Sequence, residues 1–530
     1  MALWLLTSEI MPTATLSEFL AYLEQNGELA RVRARVSPIL EIAEITNRVC
    51  KSPAPHAGQE MDRSFAANLG GKAMLFENVE GSSIPVAINT FGSYWRLNQA
   101  LGTDGLESLA ARVQQLLKPE IPSTLLEKMK KLPELMRMAS YAPRSVRSGM
   151  CQQVVLEGEE ADLTRLPIIQ CWPLDGNLDS RQVADAAATS KVTQRGTGRY
   201  ITLGSICTRN PLDGTRNIGM YRVQLHGPRL CAMHCHVHHD GARNLRLWKA
   251  RGEKMPTAIV LGGPSVLPYA ASAPLPPSME EILFAGFLNG SGIELVKCCT
   301  IDMEVPATAE IVIEGYVDAD EPLMEGPFGD HTGYYSLADW YHAFHVTAIT
   351  SRKEPIYPTT LVGRIPMEDY YLGKATERIF LPVLRMIIPE IIDYCLPASG
   401  VFHNCTFVRI RKEYAYQARR VMHAIWGAGQ LALTKFIIVV DEDVDVHDEQ
   451  EVLFRLFANC DPERDAEIVH GPVDILDHAS PELGAGSKIG FDATIKIPGE
   501  GRVRPWPKDL VMEEAVKELV TRKWSEYGLG

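Results

Sequence analysis

Between Cys151 and Thr350 the apolar residues come in short runs broken by turn residues, a texture that suits strands and not helices. The expected strands are 153–156, 200–208, 218–226, 230–238, 259–262, 293–297, 311–317 and 344–350. So many short strands in succession fold as a barrel or a sandwich. On either side the pattern returns to alternating helices and strands, which predicts α/β units flanking the β-rich centre. A chain of 530 residues is too long for one core. The expected division is 1–150, 151–351 and 352–530.

Before the centre, Thr15 and Glu18 have capping-box spacing, and Leu16, Phe19, Leu20 and Leu23 share one helical face that Asn26-Gly27 should end. A strand at 29–36, a helix near 40–50, strands at 73–76 and 84–88 and a helix at 106–117 follow, with a further helix expected at 125–138. Residues 51–71, rich in Pro, Ala and Gly, read as an exposed insertion, and the polar stretch 175–199 as a long loop. Beyond 352, helices at 376–388 and 415–426 bracket a strand at 406–410. A buried strand at 436–440 and a helix at 449–456 predict a mainly parallel sheet. Asp441-Glu442-Asp443 invites a metal, but acids at a helix N-terminus are the commoner explanation. Gly484-Ala485-Gly486 with Gly490 misses dinucleotide-binding spacing.

The formal net charge of -13 argues against nucleic acid as a partner. Eleven scattered cysteines without a secretory signal predict reduced thiols and a cytoplasmic location. No apolar run approaches the roughly 18 residues of a membrane span. The first ten residues read as a tail ahead of the first element.

One stretch stands out chemically: Glu325-Gly326-Pro327-Phe328-Gly329-Asp330-His331-Thr332-Gly333-Tyr334-Tyr335. Pro327 fixes its φ, and Gly326 and Gly329 are free to take angles other residues avoid. The bend can aim Glu325 and Asp330 at one small volume. Two acids so held repel, so one should keep its proton and be able to deliver it. A solvated surface turn is the plainer alternative.

That string resembles the active-site loop of the UbiD family, the prenylated-FMN-dependent decarboxylases. The likeness starts at Leu16-Ser17-Glu18-Phe19-Leu20 and runs through Cys151-Gln152-Gln153, Leu166-Pro167-Ile168 and Cys171-Trp172-Pro173. It continues in Val296-Lys297-Cys298, Val305-Pro306-Ala307, Gly486-Ser487-Lys488, Gly490 and Asp492-Ala493-Thr494. Within the family the chain is most similar to the branch acting on 4-hydroxy-3-polyprenylbenzoate. The resemblance implies an N-terminal α/β domain, a central split β-barrel of flavin-reductase type and a C-terminal α/β domain.

It also implies a site. Asn217 and Arg222 match an Asn-x4-Arg pattern, with Asn217, His238 and Glu281 as metal ligands and Arg222, Glu325 and Asp330 as catalytic residues. An amide, an imidazole and a carboxylate suit Mn(II) or Mg(II), with a monovalent cation such as K+ also implied. Met220, Tyr221, Arg222, His234, Cys235 and His236 fall at cofactor-contacting positions. His239 and Asp240 do as well, although His239-Asp240-Gly241 departs from the family's Arg-Gly-Gly. The nearby His234, His236, His238, Cys231 and Cys235 suggest zinc as an alternative. On one strand, however, the histidines would face away from the cysteines, so a mixed tetrahedron needs a bulge. The same parity separates Asn217 from Arg222 unless Asn217 sits at a strand mouth or Gly219 bends the chain.

Losing CO2 from an aromatic ring needs an electron sink that side chains lack, which a cofactor must supply. The implied reaction is decarboxylation of 4-hydroxy-3-polyprenylbenzoate to 2-polyprenylphenol in ubiquinone synthesis, with Asp330 protonating the carbon and an Arg222–Glu325 ion pair at the cofactor. The same chemistry on another aromatic acid, such as a dihydroxynaphthoate, and a non-catalytic flavin- or metal-binding scaffold are the alternatives. A flavin prenyltransferase as cofactor supplier and a homo-oligomer are further implications. A polyprenyl tail predicts peripheral contact with the inner face of the membrane, though no amphipathic anchor is evident.

Overall fold

Thr15 Oγ1 accepts the Glu18 N–H at 3.1 Å while the Glu18 carboxylate accepts the Thr15 N–H at 3.1 Å, so the expected capping box forms. It starts the helix Leu16–Gln25, whose Leu16, Phe19, Leu20 and Leu23 are buried, and Gly27 ends it at φ 72°. The computed structural model describes residues 10–58, 61–117, 136–190, 196–236, 239–276 and 279–529. Nearly all of the expected tail, most of the expected helix at 125–138, and His238 lie outside the described residues.

The first sheet has the order Leu29–Val36, Ala73–Val79, Val86–Ile88, Tyr357–Thr359. Its fourth strand comes from far downstream and pairs in parallel with Val86–Ile88. Both of these short strands are completely buried. Under the sheet a fully buried Arg96 donates to Glu28 at 2.5 Å and to the Gly71 carbonyl at 2.7 Å, so the desolvated charge is paired. Residues 51–71 are not simply an exposed insertion. Asp62 is buried and accepts hydrogen bonds from Tyr94 (2.6 Å) and Tyr370 (2.5 Å), and the Leu69 carbonyl accepts one from Tyr371 (2.7 Å).

The central nine-stranded sheet is the expected split barrel. Its path runs Tyr200–Ile201, Val223–Gly227, Leu230–Met233, Asp339–Ser351, Ile311–Glu325, Met255–Leu261, Ser205–Arg209, Arg216–Met220, with Val154–Glu157 added on Asp339–Ser351. The expected strands 200–208 and 218–226 are each broken in two. After Met220 the chain crosses from one end of this open path to the strand next to the other end, through Tyr221 and Arg222 alone. Arg222 therefore sits at the seam where the barrel does not close. The expected strand 230–238 stops at Met233, so the parity assigned to His234, His236 and His238 does not apply.

Residues 175–199 are not one loop. Asp179 accepts the Gln182 N–H at 2.8 Å in a capping box and opens the helix Ser180–Thr189. That helix buries no residue, which is why it gave no periodic signal.

The C-terminal sheet has the order Ile391–Cys395, Cys405–Ile410, Phe436–Val440, Ala485–Asp492, Ala466–Pro472. Only its two inner pairings are parallel, so the sheet is mixed and not mainly parallel. The helix expected at 376–388 begins earlier and spans Glu368–Ile387. The acids after Phe436–Val440 are used locally: Glu442 pairs with Arg411 at 2.8 Å and Asp441 accepts the Ile495 N–H at 2.7 Å. No helix among the described residues is long and apolar enough to cross a membrane.

Candidate active site

The two longest strands of the barrel, Ile311–Glu325 and Asp339–Ser351, form one hairpin whose register closes at Glu325 opposite Asp339. The acidic loop is the tip of that hairpin. The tip folds back on itself: Ser336 N–H donates to Phe328 O at 2.8 Å and Asp330 N–H to Tyr334 O at 3.0 Å. Gly333, at φ 81°, donates to Asp330 O at 2.9 Å, so the left-handed residue of the turn is Gly333. Gly326 and Gly329, free to take such angles, do not take them. They are required by close approach, since a Cβ on Gly329 would lie 2.1 Å from the Trp172 ring and one on Gly326 2.5 Å from Gly176 Cα.

The segment carrying Trp172 is the seat of the tip. Asp175 accepts the N–H groups of Gly329 (2.8 Å) and Trp172 (2.7 Å), Gly176 N–H donates to Pro327 O at 2.7 Å, and Trp172 Nε1 donates to Val362 O at 2.7 Å. Burial pushes the Asp175 carboxyl up to about 6 against these hydrogen bonds.

Arg222 reaches the tip from the barrel seam. Its Nε and Nη2 donate to the two oxygens of Glu325 at 3.0 and 2.8 Å, its Nη1 donates to Asp330 Oδ2 at 2.6 Å, and Nη2 also donates to Ser336 Oγ at 3.0 Å. The guanidinium lies 4.8 Å from the centre of the Phe328 ring. His234, just past the strand Leu230–Met233, donates to Glu325 Oε2 at 2.8 Å.

Repulsion between the two acids does not set their protonation, because Arg222 stands between them. Burial raises the Glu325 carboxyl, but Arg222 and His234 outweigh it and hold the group at about 2. Burial likewise raises Asp330, and the hydrogen bond and charge of His331 together with Arg222 hold it well below the carboxylate range. Both carboxylates are therefore ionised, contrary to the expectation that one keeps its proton.

The proton lies one residue further on. Asp330 Oδ1 accepts from the His331 backbone N–H and from Nδ1, each at 2.8 Å. Burial works against charge on His331, yet Asp330 overcomes it and pushes the imidazole up to about 9. The far nitrogen, Nε2, is 2.7 Å from Nε2 of His403, a residue of the C-terminal part. Burial and the His331 charge push His403 down, so His331 donates and His403 accepts. Phe402 stacks on His331 at 5.2 Å, and His478 packs on Tyr334 at 4.0 Å. Sequence patterns offered no signal for His403, which belongs to no motif. Asp175 lies two residues beyond the matched Cys171-Trp172-Pro173.

Of the expected metal ligands, Asn217 and Glu281 come together. Asn217 lies in Arg216–Met220 and Glu281 opens the helix Glu281–Asn289, with Asn217 Nδ2 donating to Glu281 Oε1 at 3.3 Å. Glu281 Oε2 accepts the Ile218 N–H at 2.8 Å, and burial pushes the carboxyl up to about 7. A buried carboxyl beside an amide, with no cation paired to it among the described residues, is a donor set that fits a hard divalent ion. Around the expected cofactor positions, Met220 is half-buried and the buried Tyr221 stacks on His239 at 4.8 Å. Gly219 and Gly241 press on the Tyr221 ring, Cys235 adjoins Gly241, and His236 lies 5.7 Å from His239. Asp240 begins the helix Asp240–Ala250, and among the described residues no side chain makes a capping hydrogen bond at its N-terminus. An uncapped N-terminus suits a phosphate, so these residues fit a flavin nucleotide.

One other group among the described residues has metal-ligand spacing: Glu377, Cys395 and His447. The Lys374 ammonium already donates to Glu377 at 2.6 Å and to Cys395 at 3.3 Å, so a cation is in place there.

Comparison with known proteins agrees with this geometry. Three family models match in order: the 3-octaprenyl-4-hydroxybenzoate carboxy-lyase N-terminal domain over residues 20–116, its Rift-related domain over 144–365 and its C-terminal domain over 370–493. An uncharacterized protein of Aquifex aeolicus is 47% identical over 517 residues, covering 97% of this chain and 98% of the relative. The UbiD-class enzyme HmfF from Pelotomaculum thermopropionicum, solved in complex with FMN, is 26% identical with a TM-score of 0.72, covering 96% of this chain and 100% of that one. The vanillic acid decarboxylase of Sedimentibacter hydroxybenzoicus shares the fold at 24% identity and a TM-score of 0.78, covering 98% of this chain and 99% of that one. Matched in its N-terminal, central and C-terminal parts, the chain belongs to the UbiD family and is a carboxy-lyase of that class.

Proposed function

We propose that this enzyme removes CO2 from an aromatic carboxylic acid with prenylated FMN as cofactor, and that 4-hydroxy-3-polyprenylbenzoate, giving 2-polyprenylphenol for ubiquinone synthesis, is its substrate. The observation that carries the decarboxylase assignment is Arg222 held bidentate to Glu325 and singly to Asp330 at the seam of the barrel. The polyprenylbenzoate assignment rests on the likeness of the loop, including Asp330, to that branch of the family. The bound cofactor supplies the electron sink for the carbon–carbon cleavage. Arg222 keeps Glu325 ionised and fixed, and Asp330 carries a proton to the ring carbon that loses CO2.

Asn217, His238 and Glu281 would hold Mn(II) or Mg(II), whose charge would help bind the cofactor phosphate, with K+ as an accompanying ion. Met220, Tyr221, His234, Cys235, His236, His239 and Asp240 would line the cofactor. A flavin prenyltransferase supplies it, the working form is a homo-oligomer, and a polyprenylated substrate brings the enzyme to the membrane surface. Proposed domain limits are 1–150, 151–351 and 352–530.

The test is protein made with and without a flavin prenyltransferase, assayed for CO2 and the phenol. Activity is expected only in the first preparation, and activity with FMN alone would overturn the cofactor assignment. Glu281→Gln should lower bound metal and bound flavin together. Full flavin without metal in that variant would remove Glu281 from the ligand set. CO2 from a dihydroxynaphthoate but none from 4-hydroxy-3-polyprenylbenzoate would move the substrate to that other acid.

A further inference from the structure

Decarboxylation consumes one proton per turnover: the carbon–carboxylate bond breaks, CO2 leaves, and the ring carbon takes a proton in its place. Asp330 is placed to deliver that proton but is itself ionised between Arg222 and His331. A donor without a proton needs a source within hydrogen-bond reach. His331 Nδ1, at 2.8 Å from Asp330 Oδ1, is that source by position, and its ring is held from the other side by His403.

We propose that His331 is the proton store of this active site, charging Asp330 through Nδ1, and that His403 is the positioning residue that keeps the ring charged and aimed. The Nδ1 proton passes to Asp330, Asp330 hands it to the ring carbon as CO2 departs, and a proton from water restores the imidazolium after product leaves. The proposal rests on the decarboxylase assignment for its use, but the store itself is a property of the protein alone.

Three observations support it beyond the two distances. Exposure rises from Asp330 to His331, with side chains 8% and 19% exposed, so the store lies on the solvent side of the donor. The turn that presents His403 is strained: Val401 and Phe402 sit consecutively at φ 53° and 46°, a region that a β-branched or aromatic residue seldom adopts. Strain of that kind persists where surrounding structure fixes it, and here it delivers a ring to stack on His331 and an acceptor for its far nitrogen.

The third is the charge around the imidazole. Asp330 faces it from its own loop, Asp369 from the start of the helix Glu368–Ile387, and Asp474 from beyond the strand Ala466–Pro472, while His403 is the opposing base. Asp369 has Oδ2 buried without a hydrogen-bond partner among the described residues and lies in the fields of His331, Asp330 and Lys51. Asp477 adds its charge at His403. Three acids favour the cation on His331.

Two measurements on the full-length, cofactor-loaded enzyme test this. In the first, histidine-labelled protein is titrated by NMR, with the His331 signal assigned by its loss in His331→Asn. Wild-type His331 is expected to stay protonated through pH 7 and titrate near 9, and to fall toward the ordinary histidine range in Asp330→Asn. His403→Leu should lower the titration point, and His403→Gln, which keeps an acceptor, should restore most of it. A neutral His331 at pH 7 overturns the proposal whatever the enzyme decarboxylates.

In the second, the pH dependence of kcat/KM is measured. Wild type should lose activity as pH rises through about 9, where the imidazolium is lost. His331→Asn should fall about a hundredfold near neutrality, at the low end of what a positioned proton donor supplies, and recover as pH drops and Asp330 is charged directly by solvent. Added imidazole should rescue it in part. An unchanged profile in His331→Asn overturns the proposal. No activity in wild type, with the titration as expected, instead refutes the decarboxylase assignment and leaves the store standing.

Discussion

Arg222 shows how little of the site could be set by the acids alone. Its guanidinium makes four hydrogen bonds to Glu325, Asp330 and Ser336, and the planar fork is what lets one cation orient two carboxylates. Because both acids share that partner, their losses should not multiply. Asp330→Asn is expected to lower turnover by roughly two to four powers of ten, the usual worth of a general acid, with metal and flavin content unchanged. Glu325→Gln should also lose activity, and the double variant should cost far less than the product of the two. Near-native rates for Asp330→Asn with intact cofactor would move the donor role elsewhere in the loop.

At the scale of elements, the tip of the long hairpin depends on the segment 171–176 as much as on its own residues. Gly329→Ala brings a Cβ to 2.1 Å from the Trp172 ring, which is itself pinned by its hydrogen bond to Val362 O. The expected cost is about 1–3 kcal/mol, as for other overpacked sites, read by thermal unfolding. Combining Gly329→Ala with Trp172→Ala should cost less than the sum of the two. Full additivity would mean that the seat does not constrain the tip.

What was legible in the chain follows the range of the interactions involved. The helix Leu16–Gln25 could be read from Thr15, Glu18 and four leucine or phenylalanine positions because capping and periodicity are local. The barrel could be expected as a class, but not the seam that puts Arg222 between its two ends, since that is a pairing of strands far apart in sequence. Glu325 and Asp330 were singled out by their turn. Their ionisation was misjudged from the turn alone: Glu325 is held by Arg222, 103 residues away, and Asp330 by its neighbour His331 together with Arg222, 108 residues away. Helix Ser180–Thr189 was missed because no face of it is buried, and His403 because a lone histidine in an irregular turn carries no pattern.

On the scale of the whole molecule, the parts share a buried core that runs from Leu16 through Val260 to Ile379, and hydrogen bonds cross it. Asp62 accepts hydrogen bonds from Tyr94 and from Tyr370 on the helix Glu368–Ile387, and His403 reaches the central loop from the C-terminal sheet's side. The tail is different in kind: the helix Glu514–Arg522 buries no residue, and Val503 and Leu510 are fully exposed.

A pairing of long reach is Tyr357–Thr359, the fourth strand of the first sheet. During synthesis the ribosome makes Val86–Ile88 some 270 residues before the strand that covers it, an interval of roughly 14–54 s at 5–20 residues per second. Through that interval the nascent sheet carries an open edge whose three residues are all buried in the finished protein. A fragment ending at residue 350 should therefore aggregate, while one ending at 365, with the covering strand included, should stay dispersed in the same centrifugation assay. Equal solubility of the two would show that something else shields the edge until the chain is long enough to close it.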